Sequence, residues 1–252
     1  MRRILVIGIG TGDPDHITLA GIKALQQARV VFVLDKGEHK ATLVDLRRTI
    51  CARHLAPGSY RVVELEQGGR DASVAYTSAV QHWHSERATL YERAFLRELG
   101  DDDSGAILVW GDPALYDSTL RILEQVRERV AFEYEVVPGI SSPQLLAARH
   151  KIPLNQIAGA VHVTTGRRLS SEGWPPNSDD VVVMLDGECA FRQLHDPELE
   201  IYWGAYLGSE HELLCSGRLV ERKEEIVQLR AAARDRHGWI MDTYLLRRRR
   251  VR

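Results

Sequence analysis

The stretch 106–118 constrains the fold of this chain more than any other. An apolar run, Ala106-Ile107-Leu108-Val109-Trp110, stops at Gly111-Asp112-Pro113, and an amphipathic helical pattern with a Ser/Thr start follows. A short apolar run bounded by turn signals reads as a buried strand. The glycine lets a ligand approach the backbone, and the proline stiffens the turn. The aspartate sits where open α/β sheets bind small molecules, at the carboxyl end of a strand. An acid there suits a ligand with hydroxyls, an amine or a positive centre better than one presenting phosphate.

The same pattern recurs on either side. Residues 4–7 are a strand run that enters the loop Gly8-Ile9-Gly10-Thr11-Gly12-Asp13-Pro14, and Thr18 can cap a helix with Leu19, Ile22 and Leu25 on its apolar face. Residues 30–34 form a second strand ending at Asp35, and residues 74–99 carry Val80, Trp83, Leu90, Tyr91 and Ala94 at helical spacing. Residues 134–137 run into Pro138-Gly139-Ile140-Ser141-Ser142-Pro143, which predicts a helix with Ser142 as N-cap and Pro143 at its first position. Strands alternating with helices imply a parallel sheet with right-handed crossovers. Further along, strand candidates at 161–164, 181–185, 200–203, 213–215 and 239–241 have fewer helices between them, with one clear helix at about 221–234. That pattern reads as a mixed sheet.

The chain is therefore expected to be an α/β protein of two α/β domains. The N-terminal domain, 1–143, has a mostly parallel sheet, and the C-terminal domain, 144–252, a mixed one. Segments 100–104 and 170–180 are expected to be exposed loops, and the arginine-rich end 247–252 a solvated tail.

Composition narrows the classes of function. Formal net charge is only -2 over 252 residues, so no global field attracts nucleic acid, and anion recognition must come from placed arginines. Cys51, Cys189 and Cys215 are too few and too scattered for a disulfide framework or a zinc site, which fits a reducing, cytoplasmic compartment. The basic-then-apolar opening stops at Gly8 and reads as a strand, not a signal peptide. No apolar run approaches the ~20 residues of a membrane span. His82 and His84 flank Trp83 on a helix and point to different faces, so no metal site is expected there or elsewhere.

The N-terminal loop nearly matches a dinucleotide-binding fingerprint, with Asp35 in the place of the ribose-binding acid. Its third glycine falls one place early, however. Asp13 occupies that slot and would bring negative charge towards a pyrophosphate. Pro14 and Asp15 also delay the helix whose N-terminus should hold the phosphate. A nicotinamide- or flavin-dependent oxidoreductase is thereby disfavoured, and a tight turn with no ligand role stays open.

The motifs Gly8-x-Gly10-x-Gly12-Asp13-Pro14, Gly111-Asp112-Pro113, Val137-Pro138-Gly139-Ile140-Ser141-Ser142, Thr164-Thr165-Gly166-Arg167 and Val181-Val182-Val183-Met184 occur in this order. The ordered set resembles the tetrapyrrole (corrin and porphyrin) methyltransferases, the class III S-adenosylmethionine enzymes, over residues 1–246. The resemblance implies two α/β domains with the active site in the cleft between them, a homodimer, and S-adenosylmethionine as cofactor. By similarity, Gly111 and Asp112 contact the methionine portion, Leu115 and Tyr116 pack beside it, and Ser141 and Ser142 contribute hydroxyl and backbone groups. Met184 falls where a methionine packs on the adenine, and backbone near Tyr206 and Trp239 reaches the adenine edge. The family usually has a proline where this chain has Gly208.

In this family the N-terminal loop lines the substrate trough, which assigns Gly10 and Asp13 to the substrate. The substrate is a polycarboxylate, so Arg167 and Arg168 are the first candidates to meet it, since paired guanidinium forks suit carboxylates. Arg47 and Arg48 are weaker candidates, with a solvated helix face as their alternative. Blocks 32–37, 108–121, 184–191 and 237–244 resemble the branch that methylates precorrin-5 at C1 and releases its acetyl group as acetate. Another precorrin, a different acceptor, or a tetrapyrrole carrier that does not turn over the cofactor are the alternatives. Methyl transfer depends chiefly on alignment, whereas loss of acetate needs water activated by a general base. Asp35 matches the position of an acid proposed as base in related enzymes. Asp13 and Glu188 follow, each open to a role as structural cap or hydrogen-bond acceptor.

Overall fold

The computed structural model describes residues 1–35, 41–66 and 76–248. The chain divides into two compact units, Met1–Ile140 and Ser141–Arg252.

Unit 1 contains β1 (Arg3–Gly8), α1 (Leu19–Leu25), β2 (Val30–Asp35), α2 (Ala41–His54), β3 (Arg61–Glu66), α3 (Tyr76–Glu98), β4 (Ser104–Val109), α4 (Thr119–Arg127) and β5 (Glu133–Val137). Its sheet has the order β3-β2-β4-β1-β5, and every pairing is parallel. The period-two rule divides the strand residues between two cores. Ile4, Val6, Val30, Phe32, Ile107 and Val109 pack with Tyr91 and Phe95 of α3 and Ile122 and Leu123 of α4. Leu5, Ile7, Val31, Val33, Ala106 and Leu108 pack with Leu25 of α1 and with Ile50 and Cys51 of α2. The Thr18 side chain caps α1 by accepting from the Gly21 amide at 2.9 Å, as its position in the sequence predicts.

This arrangement puts a topological switch point at β4. β4 lies between β2 and β1, and α4, which follows it, covers the face opposite to that of α1 and α2. Loops leaving neighbouring strands towards opposite faces open a crevice at the strands' carboxyl ends.

Unit 2 contains α5 (Ser142–His150), β6 (Val161–Thr165), α6 (Gly166–Glu172), β7 (Asp180–Met184), β8 (Leu199–Ala205), β9 (Leu213–Arg218), α7 (Leu219–His237) and β10 (Asp242–Arg248). Its sheet runs β6-β7-β10-β8-β9 and is mixed: β6 and β7 are parallel, while β10 is antiparallel to both β7 and β8, and β9 to β8.

Several expectations need correction here. The last strand is 242–248, not 239–241. α7 ends at Gly238 in the left-handed region (φ 73°), residues 239–241 connect it onward, and the buried residues are Thr243, Tyr244, Leu245 and Leu246. The C-terminal arginines that fall in this strand are held. Arg247 pairs with the fully buried Asp180 and donates to the Pro153 carbonyl at 2.9 Å, and Arg248 pairs with Asp196 at 3.1 Å. Residues 249–252 lie outside the described residues. Segment 170–180 is not all loop, because α6 extends to Glu172 and the buried Asp180 opens β7. The N-cap of α5 is Ser141, with Pro143 second in the helix, because the Gln144 side-chain oxygen accepts from both the Ser141 amide (2.8 Å) and its hydroxyl (2.9 Å).

Candidate functional site

Unit 1 draws its glycine loops together at the carboxyl edge of the sheet. A Cβ on Gly139 would lie 2.3 Å from the Gly111 carbonyl oxygen and 2.6 Å from the Gly8 carbonyl carbon, so three backbones touch with no room for a side chain. Gly10 and Gly111 form an antiparallel bridge, with the Gly111 amide donating to the Gly10 carbonyl at 2.8 Å. Asp112 ties the assembly: one carboxylate oxygen accepts from the Ala114 amide at 2.8 Å and the other from the Gly139 amide at 2.9 Å. Leu115 is half-buried beyond this turn, and Tyr116 follows at φ 52°. The turns at Gly10, Gly111 and Gly139 therefore form one structure.

Asp13 sits on the same edge, where its carboxylate accepts from the Asp15 amide at 2.8 Å and caps the short 3-10 turn Pro14–His16. Asp35 closes β2, with Glu66 of β3 as its register partner. Its side chain, like Lys36 and Gly37 of the 32–37 block, lies outside the described part.

Arg47 is not on a solvated helix face. Its Nε donates to the Leu108 carbonyl of β4 at 2.9 Å, and burial lowers its pKa against the opposing pull of Tyr91 and Asp117. β4 and β2 stay in register only as far as Ile107 and Phe32, and the Leu108 carbonyl lies just past that point. Arg48 is exposed and pairs with Asp45 and Glu64.

In unit 2 the carboxyl ends of β6, β7 and β8 meet the start of β10. Thr165, Met184 and Thr243 are in register across three strands, and Ala205 pairs with Asp242. Met184 is half-buried at the end of β7. Beyond it, the Asp186 carboxylate accepts from the Glu188 amide (3.0 Å), the Ala190 amide (2.7 Å) and the Tyr244 hydroxyl (2.6 Å). Arg230 donates to the Asp186 carbonyl at 2.7 Å and pairs with Asp242 at 3.1 Å, and the Trp203 indole also donates to Asp242, at 2.9 Å. Burial raises the Asp242 carboxyl, with Arg230 acting against it. Burial and the adjacent Asp186 push the Tyr244 hydroxyl well above its usual range. Glu188 is exposed on this turn.

Tyr206, at φ 49°, is buried, and its hydroxyl donates to the Trp239 carbonyl while its amide donates to Met241 at 2.9 Å. Trp239 meets the Tyr206 ring edge-on at 5.2 Å, and His211 stacks on His237 at 4.3 Å. Gly208 adopts φ 81° and donates its amide to Glu212 at 2.6 Å. A proline can supply neither that dihedral nor that donor, which gives a physical reason for this departure from the family pattern.

Arg167 and Arg168 lie in the first turn of α6. Arg168 directs its fork to both carboxylate oxygens of Glu172, at 3.0 and 2.9 Å, so the fork expected for substrate already holds a partner on its own helix. Sequence reasoning missed the Asp186–Tyr244–Arg230–Asp242 network and the burial of Arg47. The only local signal for the former was an aspartate followed by glycine just past a strand. No group of three or more His, Cys, Asp or Glu side chains among the described residues could hold a metal ion.

The family model of the tetrapyrrole (corrin/porphyrin) methylases matches residues 3–221. A precorrin-6A synthase [deacetylating] from Sinorhizobium sp is 52% identical over 251 residues, 98% of this chain and 96% of the relative. Among solved structures, a protein from Corynebacterium diphtheriae described as a "cobalamin synthesis related protein (CobF)" superposes with a TM-score of 0.86 at 40% identity, covering 98% of this chain and 99% of that one. The uroporphyrin-III C-methyltransferase from Thermus thermophilus complexed with S-adenosyl homocysteine has a TM-score of 0.59 at 21% identity, over 97% of this chain and 91% of that chain, and so shares the fold.

Proposed function

We propose that this chain, which belongs to the tetrapyrrole (corrin/porphyrin) methylase family and is a methyltransferase, acts as a precorrin-6A synthase. It methylates precorrin-5 at C1 and removes the acetyl group as acetate. The observation that carries the choice of acceptor is the full-length likeness to the Sinorhizobium precorrin-6A synthase. The geometry supports the choice of cofactor.

The residues at the carboxyl edge of unit 1 fit the amino-acid portion of S-adenosylmethionine. In unit 1 the close-packed backbones of Gly8, Gly111 and Gly139 fix the turn that carries Asp112 at the carboxyl edge of the sheet. The loops 8–14 and 111–118 carry acids and no lysine or arginine, which suits a cationic sulfonium and an amino group but not a pyrophosphate. We assign Gly111, Asp112, Leu115 and Tyr116 to the amino-acid portion, with Ser141 and Ser142. Met184 is assigned to the adenine, where its flexible thioether suits an aromatic face, with backbone near Tyr206 and Trp239. When bound, the cofactor supplies an electrophilic methyl group.

The chain's own task in that transfer is to align and to exclude water, since attack by an electron-rich ring carbon needs little acid–base help. Deacetylation makes a different demand. Water must lose a proton as it adds to the acetyl carbonyl, and the bond from that carbon to the ring then breaks, releasing acetate and leaving the bonding electron pair on the ring carbon. Asp35 is assigned as the base that takes this proton. Asp13 already caps a turn and Glu188 is exposed, which places both after it. Gly10 and Asp13 line the side of the substrate, and Arg167 meets one of its carboxylates. We also propose a homodimer that works in the cytoplasm; no helix among the described residues is long and apolar enough to cross a membrane.

Calorimetric titration distinguishes this reading from the oxidoreductase alternative. The protein should bind S-adenosylhomocysteine and release no heat with NAD or NADP. Binding of a nicotinamide dinucleotide in place of S-adenosylhomocysteine would contradict it.

A further inference from the structure

Leu185 runs against the economy of the turn that holds it. It adopts φ 52°, in the left-handed region, where a leucine is strained and glycine or asparagine is the usual occupant. Its side chain is 65% exposed and belongs to none of the hydrophobic clusters among the described residues. A glycine stands only two positions on, yet Gly187 has no left-handed φ, and a Cβ there would meet nothing within 4 Å. The backbone thus has its glycine where none is needed and a large apolar side chain where a glycine would be unstrained.

The turn is held in this state from several sides. Three donors converge on the Asp186 carboxylate, from Glu188, Ala190 and Tyr244, and Arg230 fixes the Asp186 carbonyl. Backbone strain that the surrounding structure over-determines clusters at ligand clamps and active sites. Leu185 directly follows Met184, at the strand end whose neighbours are Thr165 and Thr243.

We infer that Leu185 is a cofactor-binding residue that supplies, beside Met184, an apolar wall for the adenosyl portion of the cofactor, with Asp186, Tyr244 and Arg230 as the positioning residues that hold it there. This rests on the assignment of the adenine to Met184.

The test uses the full-length protein with S-adenosylhomocysteine as probe, read by calorimetry, thermal melting and sedimentation. Leu185→Gly should weaken binding by about tenfold, the loss expected when most of one leucine side chain is no longer buried by the ligand. Its melting temperature should hold or rise, because the strain is removed. Leu185→Met, which keeps apolar reach, should bind within about threefold of the parent. An affinity unchanged by Leu185→Gly overturns the inference. So does a loss of affinity accompanied by a lower melting temperature in both variants, which would make Leu185 a structural residue. A changed sedimentation coefficient with unchanged affinity would assign the side chain to a contact between copies of the chain. Failure of the parent protein to bind S-adenosylhomocysteine would instead refute the cofactor assignment on which the inference stands.

Discussion

At the scale of single residues, the site in unit 1 is defined by what is missing from its glycines and by what Asp112 holds. A methyl group on Gly139 would be pressed against the Gly111 carbonyl oxygen and the Gly8 backbone, neither of which can rotate aside. Gly139→Ala should therefore cost unit 1 about 3 kcal/mol by overpacking, measured as a shift in the urea midpoint. The sequence made Gly111-Asp112-Pro113 conspicuous, because an acid after a buried strand has few other uses. It could not show that Asp112 spends its oxygens on the Ala114 and Gly139 amides, one of which is 27 positions away. Leu185 was equally illegible, since nothing in a run of Val, Met and Leu announces a positive φ. The catalytic assignment is tested at this scale too. Asp35→Asn should slow acetate release far more than it weakens S-adenosylhomocysteine binding, and equal loss of both would remove Asp35 from the role of base.

At the scale of elements, β10 shows why part of the fold was hidden. Its sequence, Asp-Thr-Tyr-Leu-Leu-Arg-Arg, resembles a solvated tail because its arginines find partners far along the chain: Asp180 is 67 positions away and Asp196 is 52. No local window contains that information. β3 was missed for the opposite reason: it is an edge strand, exposed at Arg61, Val62 and Glu64, and gives little periodic signal. β1, β2 and β4 were legible because burial on both faces writes a continuous apolar run. The Arg247–Asp180 pair gives a direct test. Arg247→Ala leaves a buried carboxylate without its cation and should destabilise unit 2 by about 3–5 kcal/mol in denaturant titration, with much of the loss recovered in Arg247→Met combined with Asp180→Asn. The end of α7 gives a second. Burial, His211 and Arg236 hold His237 below the ordinary value of 6.5. The folded state resists its protonation, so its contribution is present above that value and is lost as pH falls through the depressed one. The melting temperature should drop on acidification below about pH 6.5, and His237→Gln should flatten that part of the profile.

At the scale of the whole molecule, composition and element order were enough to read two α/β units, one with a parallel sheet and one mixed. The two units divide at Ser141, which caps a helix of the second unit. The scattered cysteines behave as core residues. Burial pushes the Cys51 thiol up to about 11 and raises those of Cys189 and Cys215. All should resist iodoacetamide at pH 8 in the native protein and react in urea, a mass-spectrometric count that checks the packing of both units at once. What the fold alone leaves open is the acceptor, because one scaffold serves many chemistries. The most direct test is therefore the product itself: incubate the protein with S-adenosylmethionine and precorrin-5, then identify what forms by mass spectrometry. The expected product is a tetrapyrrole that has gained one methyl group and lost its acetyl group, with S-adenosylhomocysteine and acetate released in equal amounts. A methylated product that retains the acetyl group, or S-adenosylhomocysteine formed without acetate, would contradict it.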